Sequence, residues 1–258
     1  MGLRRTVRRA LQRAGWDLRR YRALDDHFRR ITRLCADRNL KLFLDVGANT
    51  GQFAENLFAA GFDGEVVSFE PLSEVHARLA ARAAGHPRWH VAERSALGAA
   101  RGMTRIHVAG NSQSSSILPM LPAHRDADPQ SAYVGSELVP LQSLDDVIDT
   151  RWGDGARLAL KLDVQGYEDE VLRGCTRHMR SIELICTEMS LSPLYHGAKS
   201  FSALFTELEA RGFRCVGIVP GFTDPRTSAM LQVDATFVAD RAARASGNEN
   251  TSCGETKR

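Results

Sequence analysis

The chain has 258 residues, 43% of them apolar and 25% charged, a composition that suffices for one large folded domain with additional segments. Its five cysteines are odd in number and never spaced as Cys-x-x-Cys, which argues against a disulfide framework or a zinc site and predicts reduced thiols in the cytoplasm. The net charge is only +3, no apolar run approaches the roughly 18 residues of a membrane span, and the basic N-terminus lacks the apolar stretch of a signal peptide.

Positive charge is concentrated at the N-terminus, where residues 1–33 contain eleven arginines and three aspartates. Apolar side chains recur there at steps of three and four residues, at Leu3, Val7, Leu11, Ala14 and Leu18. The pattern predicts a basic amphipathic helical segment over residues 1–38. Such a segment can dock on an anionic membrane surface or pack on the folded domain, and the pattern favours these two alternatives over contact with nucleic acid.

Residues 39–240 alternate between short apolar runs and helical patterns, which predicts βαβ units and a parallel sheet. The strand candidates are 41–46, 65–70, 88–93, 158–164, 181–188, 213–219 and 231–239. The helix candidates are 52–60, 73–84, 167–174 and 200–211. A short loop rich in Pro and Gly joins the last two strand candidates, so we expect them to form an antiparallel hairpin at the sheet edge.

An insertion interrupts this alternation between residues 99 and 157. Met103–Val108 and Glu137–Leu141 have the pattern of short strands, whereas residues 110–135 are rich in Ser, Pro and His. That segment is too long for an ordinary connection, and we predict a substrate loop or lid. The last residues, 241–258, are small and polar, which predicts a disordered tail.

The first strand candidate ends in a glycine-bracketed acidic turn, since residues 43–51 read FLDVGANTG. In a doubly wound sheet such a turn contacts a nucleotide, and an acid at the tip of the second strand, here Glu70, holds the ribose hydroxyls. The middle glycine of Gly-x-Gly-x-x-Gly is missing, and no Gly-Lys-Ser/Thr follows. The turn therefore suits a ligand without phosphates, and S-adenosylmethionine fits that description; a tight turn in another kind of α/β protein is the alternative.

The middle of the chain resembles a known family. Residues 160–168 read LKLDVQGYE, and residues 171–174 read VLRG. This is similar to the signature of FkbM-type S-adenosylmethionine-dependent methyltransferases, whose usual form is Lys-(Ile/Leu)-Asp-Val-Glu-Gly-x-Glu followed by Val-Leu-x-Gly. Gln165 departs from the usual Glu. Further matches to the family's motifs occur at 45–51, 69–71, 96–98, 114–116 and 144–146.

The resemblance spans roughly residues 40–240 and implies a class I methyltransferase fold, which is Rossmann-like and has a seven-stranded, mostly parallel sheet with an antiparallel last strand. It also implies transfer of a methyl group to oxygen, commonly a hydroxyl of a sugar or polyketide. Relatives with a basic N-terminal segment often modify sugars of cell-envelope glycolipids. We therefore expect a cytoplasmic O-methyltransferase that acts on a glycolipid at the inner face of the membrane. Two alternatives stay open, namely a soluble polyketide as the acceptor and a binding module without catalysis. Assembly of the chain into a homo-oligomer also stays open.

The candidate site residues follow from these motifs. Asp45 is expected to bind the methionine ammonium or to cap the turn, and Ser95 and Ala96 are expected to lie beside the adenine or to pack at the strand end. The cofactor candidates are Asp45, Gly47, Asn49, Gly51, Glu70, Ser95 and Ala96.

Lys161 and Asp163 lie two residues apart on one strand candidate and so project from the same face. Glu188 ends the neighbouring strand candidate, and the two carboxylates are expected to converge as a general base or as a Mg²⁺ site for vicinal hydroxyls. A structural network with Lys161 is the alternative. His196 follows the Glu188 strand and is a second candidate base, and His124 in the insertion is a third.

Overall fold

The computed structural model describes residues 26–153 and 155–240, together with positions 7, 11 and 13–15. Most of the predicted basic segment and all of the predicted tail, 241–258, lie outside the described residues. Within the described part of the chain, no helix combines the length and the apolar character needed to cross a membrane.

The elements follow one another in the order strand, helix, strand over most of the chain. The strands are β1 (Leu42–Val46), β2 (Glu65–Phe69), β3 (Trp89–Val91), β4 (Ala96–Leu97), β5 (Gly102–Ala109), β6 (Tyr133–Gln142), β7 (Leu158–Leu162), β8 (Ile182–Ser190), β9 (Phe213–Pro220) and β10 (Gln232–Ala239). The helices are α1 (His27–Asp37), α2 (Gln52–Ala59), α3 (Ser73–Ala83), α4 (Pro122–Ala127), α5 (Leu144–Arg151), α6 (Glu168–Arg173) and α7 (Phe201–Ala210).

The main sheet has seven strands in the order β3-β2-β1-β7-β8-β10-β9. β1 pairs in parallel with β2 and β7, and β7 pairs in parallel with β8. β10 runs antiparallel to both of its neighbours, β8 and β9. The predicted mostly parallel, seven-stranded sheet of a class I methyltransferase, with an antiparallel hairpin at its edge, is confirmed.

Helices cover both faces of this sheet because its strands are apolar on both sides. On one face, Phe43 belongs to a buried cluster with side chains of α1, α2 and α3, such as Ile31, Leu57 and Leu79. On the other face, Leu44 belongs to a cluster with side chains of α5, α6 and α7. Side chains alternate along a strand, so neighbouring apolar residues such as Phe43 and Leu44 supply the two cores.

The insertion supplies two strands of a second sheet, which has the order β4-β6-β5 and takes β4 from the residues just before the insertion. The two strands predicted there exist and are longer than expected, spanning 102–109 and 133–142. Residues 110–135 are not entirely loop, because they include α4 and a 3-10 turn at Pro129–Ser131. Ala127 of α4 is buried in a cluster with Leu194, Tyr195 and Leu231, and this packing fixes the segment on the main domain.

Candidate active site

A cavity of about 400 Å³ opens beyond the carboxyl ends of β1, β2, β7 and β8. It lies beside the neighbouring strands β1 and β7, between which the strand order reverses, and ligands bind at such a point in open α/β sheets. Eight of the predicted site residues line it, namely Gly47, Asn49, Glu70, Ser95, Ala96, Lys161, Asp163 and Glu188. Asp45, Gly51 and His196 are not part of its lining.

The turn after β1 is shaped by two glycines with positive φ. Gly47 has φ +74°, and a Cβ atom there would lie 1.9 Å from the carbonyl oxygen of Asp163. Gly51 has φ +95°, and a Cβ atom there would lie 2.5 Å from the ring of Trp89. Neither position has room for a side chain, so the turn stays close to β7 and leaves the space above it to the cavity.

Glu70 directly follows β2 and faces the cavity with a carboxylate that is almost fully buried. Its Oε2 accepts a hydrogen bond from the backbone N–H of Asn49 at 2.9 Å, and its Oε1 accepts one from Leu72 at 2.9 Å. Burial raises the pKa of Glu70 to about 7. Each carboxylate oxygen keeps a further lone pair, so both can also accept from hydroxyls of a ligand.

Asp45 is fully buried beneath the turn and faces the protein instead of the cavity. Its Oδ2 accepts from the hydroxyl of Ser68 at 3.0 Å, and its Oδ1 lies 3.3 Å from Nζ of Lys161. Burial raises the pKa of Asp45, against the opposing effect of Lys161. In the register of the sheet, Asp45 lies opposite both Ser68 and Lys161, which turns its side chain towards them. The prediction that Asp45 contacts a ligand has no support from this geometry.

Lys161 connects the turn to the far end of the cavity. Its Nζ donates to the carbonyl oxygen of Gly47 at 2.6 Å and lies 3.5 Å from Oδ2 of Asp163. Burial alone lowers the pKa of Lys161, but Asp163 and Asp45 outweigh it and the pKa is raised. The lysine is therefore a charged group that positions the turn and Asp163.

Asp163 and Glu188 converge as predicted, but an amide group lies between them. Nε2 of Gln165 donates to Oδ1 of Asp163 at 2.8 Å and to Oε2 of Glu188 at 2.9 Å. An NH₂ group cannot ligate a cation, and it occupies the bridging position that a metal would need. No cluster of three or more potential metal ligands exists among the residues that the structure describes. The predicted Mg²⁺ site is therefore not supported.

The two candidate histidines are not brought to the cavity. His196 is exposed, because the preceding Tyr195 takes the inward position of this segment and is only 1% exposed. His124 is buried, but its ring packs against the rings of Tyr195 and Phe222, with centroids 5.1 and 5.2 Å away. Their roles as bases stay predictions without geometric support, and Asp163 is the better placed group.

Several lining residues were not predicted from the sequence. Asp234 of β10 lies opposite Glu188 in the antiparallel register and also lines the cavity. Burial, and then Asp163, raise the pKa of Asp234 to about 6. Phe28 of α1 and Phe53 of α2 line the same cavity with ring centroids 5.5 Å apart, and the Phe53 centroid lies 5.8 Å from Nζ of Lys161. A lone acid within the apolar run of β10 is a signal that could have drawn attention to Asp234.

Comparison with known proteins gives one family and several distant structural likenesses. The profile of the FkbM methyltransferase domain matches residues 45–215. No curated protein matches the sequence.

Three solved structures are similar in shape at low sequence identity. A proposed O-methyltransferase from Klebsiella pneumoniae is 10% identical, with a TM-score of 0.46 over 93% of this chain and 90% of that one. A proposed methyltransferase from Thermobifida fusca is 14% identical, with a TM-score of 0.44 over 82% and 78%. An rRNA methylase from Streptococcus thermophilus is 10% identical, with a TM-score of 0.43 over 81% and 94%.

Proposed function

The chain belongs to the FkbM methyltransferase family, and on that premise we propose that it transfers the methyl group of S-adenosylmethionine to a hydroxyl of a sugar, carried by a glycolipid. The observation that carries the proposal is one continuous cavity with Glu70 at one end and Asp163 and Glu188 at the other. The first end suits a nucleoside, and the second suits an alcohol that must lose a proton.

The cofactor end fits S-adenosylmethionine because it offers a ribose acceptor and no phosphate cradle. The absence of a side chain at Gly47 lets the turn lie close to the backbone of Asp163, and the carboxylate of Glu70 is the group that would accept from two ribose hydroxyls. Ser95, Ala96 and Leu97 line the adjoining wall and would flank the adenine. When bound, S-adenosylmethionine supplies an electrophilic methyl group.

The acceptor end combines aromatic rings with acidic side chains. Phe28 and Phe53 provide flat apolar surfaces, and Glu188 and Asp234 provide oxygens that accept from hydroxyls. A sugar ring presents C–H bonds on its faces and hydroxyls at its edge, so both kinds of surface have a counterpart. This pairing supports a sugar acceptor.

Asp163 is the proposed general base. Its side chain is 39% exposed and lines the cavity, whereas the nearby Lys161 side chain is only 9% exposed and is held by the turn. Asp163 would accept the proton of the acceptor hydroxyl as that oxygen is methylated, with S-adenosylhomocysteine as the other product. Lys161 keeps that carboxylate oriented, and alignment of the reacting groups in the cavity supplies much of the remaining rate enhancement.

A glycolipid acceptor is favoured over a soluble one by the position of α1. His27 and Phe28 line the cavity and lie within the arginine-rich residues 1–33. Arginines bound to an anionic membrane surface would bring the acceptor end close to lipid headgroups. A soluble polyketide or another secondary metabolite is the alternative acceptor.

Two experiments test the proposal in sequence. Calorimetry with S-adenosylhomocysteine should give one site per chain, and no binding would end the methyltransferase assignment for this cavity. Mass spectrometry of glycolipids from a strain lacking the protein should show a species lighter by one methylene group. Restoration of the wild-type gene, but not of the Asp163→Asn variant, should return the heavier species. An unchanged glycolipid profile together with an altered soluble metabolite would favour the alternative.

A further inference from the structure

Every polar side-chain atom of Gln165 has a protein partner. Nε2 donates to Asp163 and Glu188, as described above, and Oε1 lies 2.6 Å from the hydroxyl of Tyr195. The backbone carbonyl of Gln165 accepts from the hydroxyl of Ser116 at 2.7 Å. Two carboxylates, an aromatic hydroxyl and the insertion therefore converge on one residue.

The network determines which way the amide is oriented. With Nε2 towards the carboxylates, both N–H bonds meet acceptors, and Oε1 meets a hydroxyl that can donate. Exchange of the two amide atoms would place Oε1 against Asp163 and Glu188 and would remove the N–H donor that both carboxylates have in the present orientation. The donor orientation is the one in which all these groups have partners.

The backbone of Gln165 is held in a conformation that its residue type rarely adopts. Its φ is +56°, a region that is sparsely populated by residues with a Cβ atom and that persists only when surrounding contacts enforce it. The next residue, Gly166, packs against Tyr195 and Ala198, where a Cβ atom would come within 2.9 to 3.1 Å of side-chain carbons. The amide is therefore fixed in position before any ligand binds.

The bridging position is one where charge matters. Asp163 and Glu188 lie beside Asp234, and like charges on neighbouring strands destabilise one another. Lys161 is close to Asp163 but has no hydrogen bond or ion pair with Glu188 in the described part of the chain. A divalent cation could bridge Asp163 and Glu188 by adding positive charge between them. A neutral amide with two N–H bonds bridges the same two carboxylates without adding charge.

We propose that Gln165 is a positioning residue of the acceptor end and that its side-chain amide takes the place of a divalent cation between Asp163 and Glu188. The proposal rests on the proposed function for the meaning of the acceptor end. It predicts that this protein has no divalent-cation site there, and that a carboxylate at position 165 creates one by placing three acids around the bridging position.

The experiment compares the full-length wild-type protein with Gln165→Glu, Gln165→Met and a charge control, Gln113→Glu. Gln113 lines the same cavity but has no hydrogen bond with Asp163 or Glu188 among the described residues, so its variant adds the same charge away from the bridging position. Manganese chloride is titrated into each protein, and bound Mn²⁺ is measured by calorimetry and by electron paramagnetic resonance of the free ion. Gln165→Glu should bind one Mn²⁺ at least tenfold more tightly than the wild type and the control.

Two results would overturn the proposal. Wild-type protein that binds Mn²⁺ as tightly as Gln165→Glu would show that the amide does not exclude a cation, and a Gln165→Glu protein that folds but gains no affinity would show that the position does not bridge. If Gln165→Glu folds only with Mn²⁺ present, its Tm should rise with Mn²⁺ concentration while that of the control does not.

The Gln165→Met variant separates positioning from folding. Its S-adenosylhomocysteine affinity should stay within about tenfold of the wild type, because Gln165 contacts the acceptor end, and a parallel loss of Tm and cofactor affinity would reduce Gln165 to a structural residue. Failure of the wild type to bind S-adenosylhomocysteine would instead count against the proposed function and leave the Mn²⁺ comparison intact.

Discussion

Replacement of Glu70 with Gln keeps the shape of the side chain but removes its negative charge, at a position where the charge is costly. The carboxylate is 4% exposed, and burial raises its pKa to about 7. Ribose hydroxyls donate to the ionised form, so cofactor binding should require that Glu70 has lost its proton. The affinity of the wild type for S-adenosylhomocysteine should therefore increase with pH around neutrality.

The size of the effect follows from the ionised fraction. With a pKa of about 7, Glu70 is roughly one-tenth ionised at pH 6 and nine-tenths ionised at pH 8. The dissociation constant measured by calorimetry should fall by about tenfold between these pH values, or ~1.4 kcal/mol. Glu70→Gln should bind more weakly at pH 8 and show little pH dependence over the same range. A Glu70→Gln protein that keeps the wild-type affinity and slope would refute the assignment of the ribose to this carboxylate.

The ligand-free protein should respond with the opposite sign. The folded-state pKa of Glu70 lies above its ordinary value of 4.5, so the folded protein binds more protons than the unfolded chain between the two values. The contribution of Glu70 to the free energy of unfolding is fully present below about pH 4.5. It falls by on the order of 3 kcal/mol as the pH rises to about 7. Urea denaturation should show Glu70→Gln gaining stability relative to the wild type over that interval, and a constant difference would contradict the raised pKa.

Three further changes have expected outcomes. Gly47→Ala should lower the free energy of unfolding by about 2 to 4 kcal/mol, because its Cβ would collide with the Asp163 carbonyl. The control Gly61→Ala, at a position with φ +96° and open space, should lower it by roughly 1 kcal/mol. Equal losses for the two variants in chemical denaturation would contradict the close approach of Gly47 to Asp163. Asp163→Asn should slow methyl transfer to the identified acceptor by roughly 10²- to 10⁴-fold, and its cofactor affinity should stay within about tenfold of the wild type. A fully active variant would exclude Asp163 as the base. Deletion of residues 2–25 should reduce sedimentation with anionic vesicles but not with neutral ones, and equal pelleting of both proteins would favour packing of this segment on the domain.

The main sheet could be predicted because its strands are local patterns. Runs such as residues 42–46 and 158–162 are apolar except for Asp45 and Lys161, and the two glycines of the first turn lie close together in sequence. The turn, Glu70 and the convergence of Asp163 with Glu188 needed only the rule that parallel strands end at one edge. These features depend on neighbours in sequence or on one topological step.

The rest of the site depends on contacts between distant segments. Gln165 was visible as a departure from a motif, but its partners Ser116, Tyr195 and Glu188 lie 49, 30 and 23 residues away, and no local pattern joins them. β4 has only two residues, which are too few for an alternating sequence pattern to identify it as a strand. The inward placement of Asp45 required the register between strands, which a single sequence does not specify.

The position of β10 as the last strand in the sequence determines when the site can be completed during synthesis. Because β10 enters the sheet at the cavity edge, its first residues, Gln232 and Asp234, reach Glu188, and its last residues lie far from the cavity. The cofactor end is built mainly from residues before 98, so a ribosome-bound chain can contain that end long before it contains the acid that closes the other. A chain that ends between residues 98 and 234 would therefore contain the residues of the cofactor end but lack Asp234 at the acceptor end.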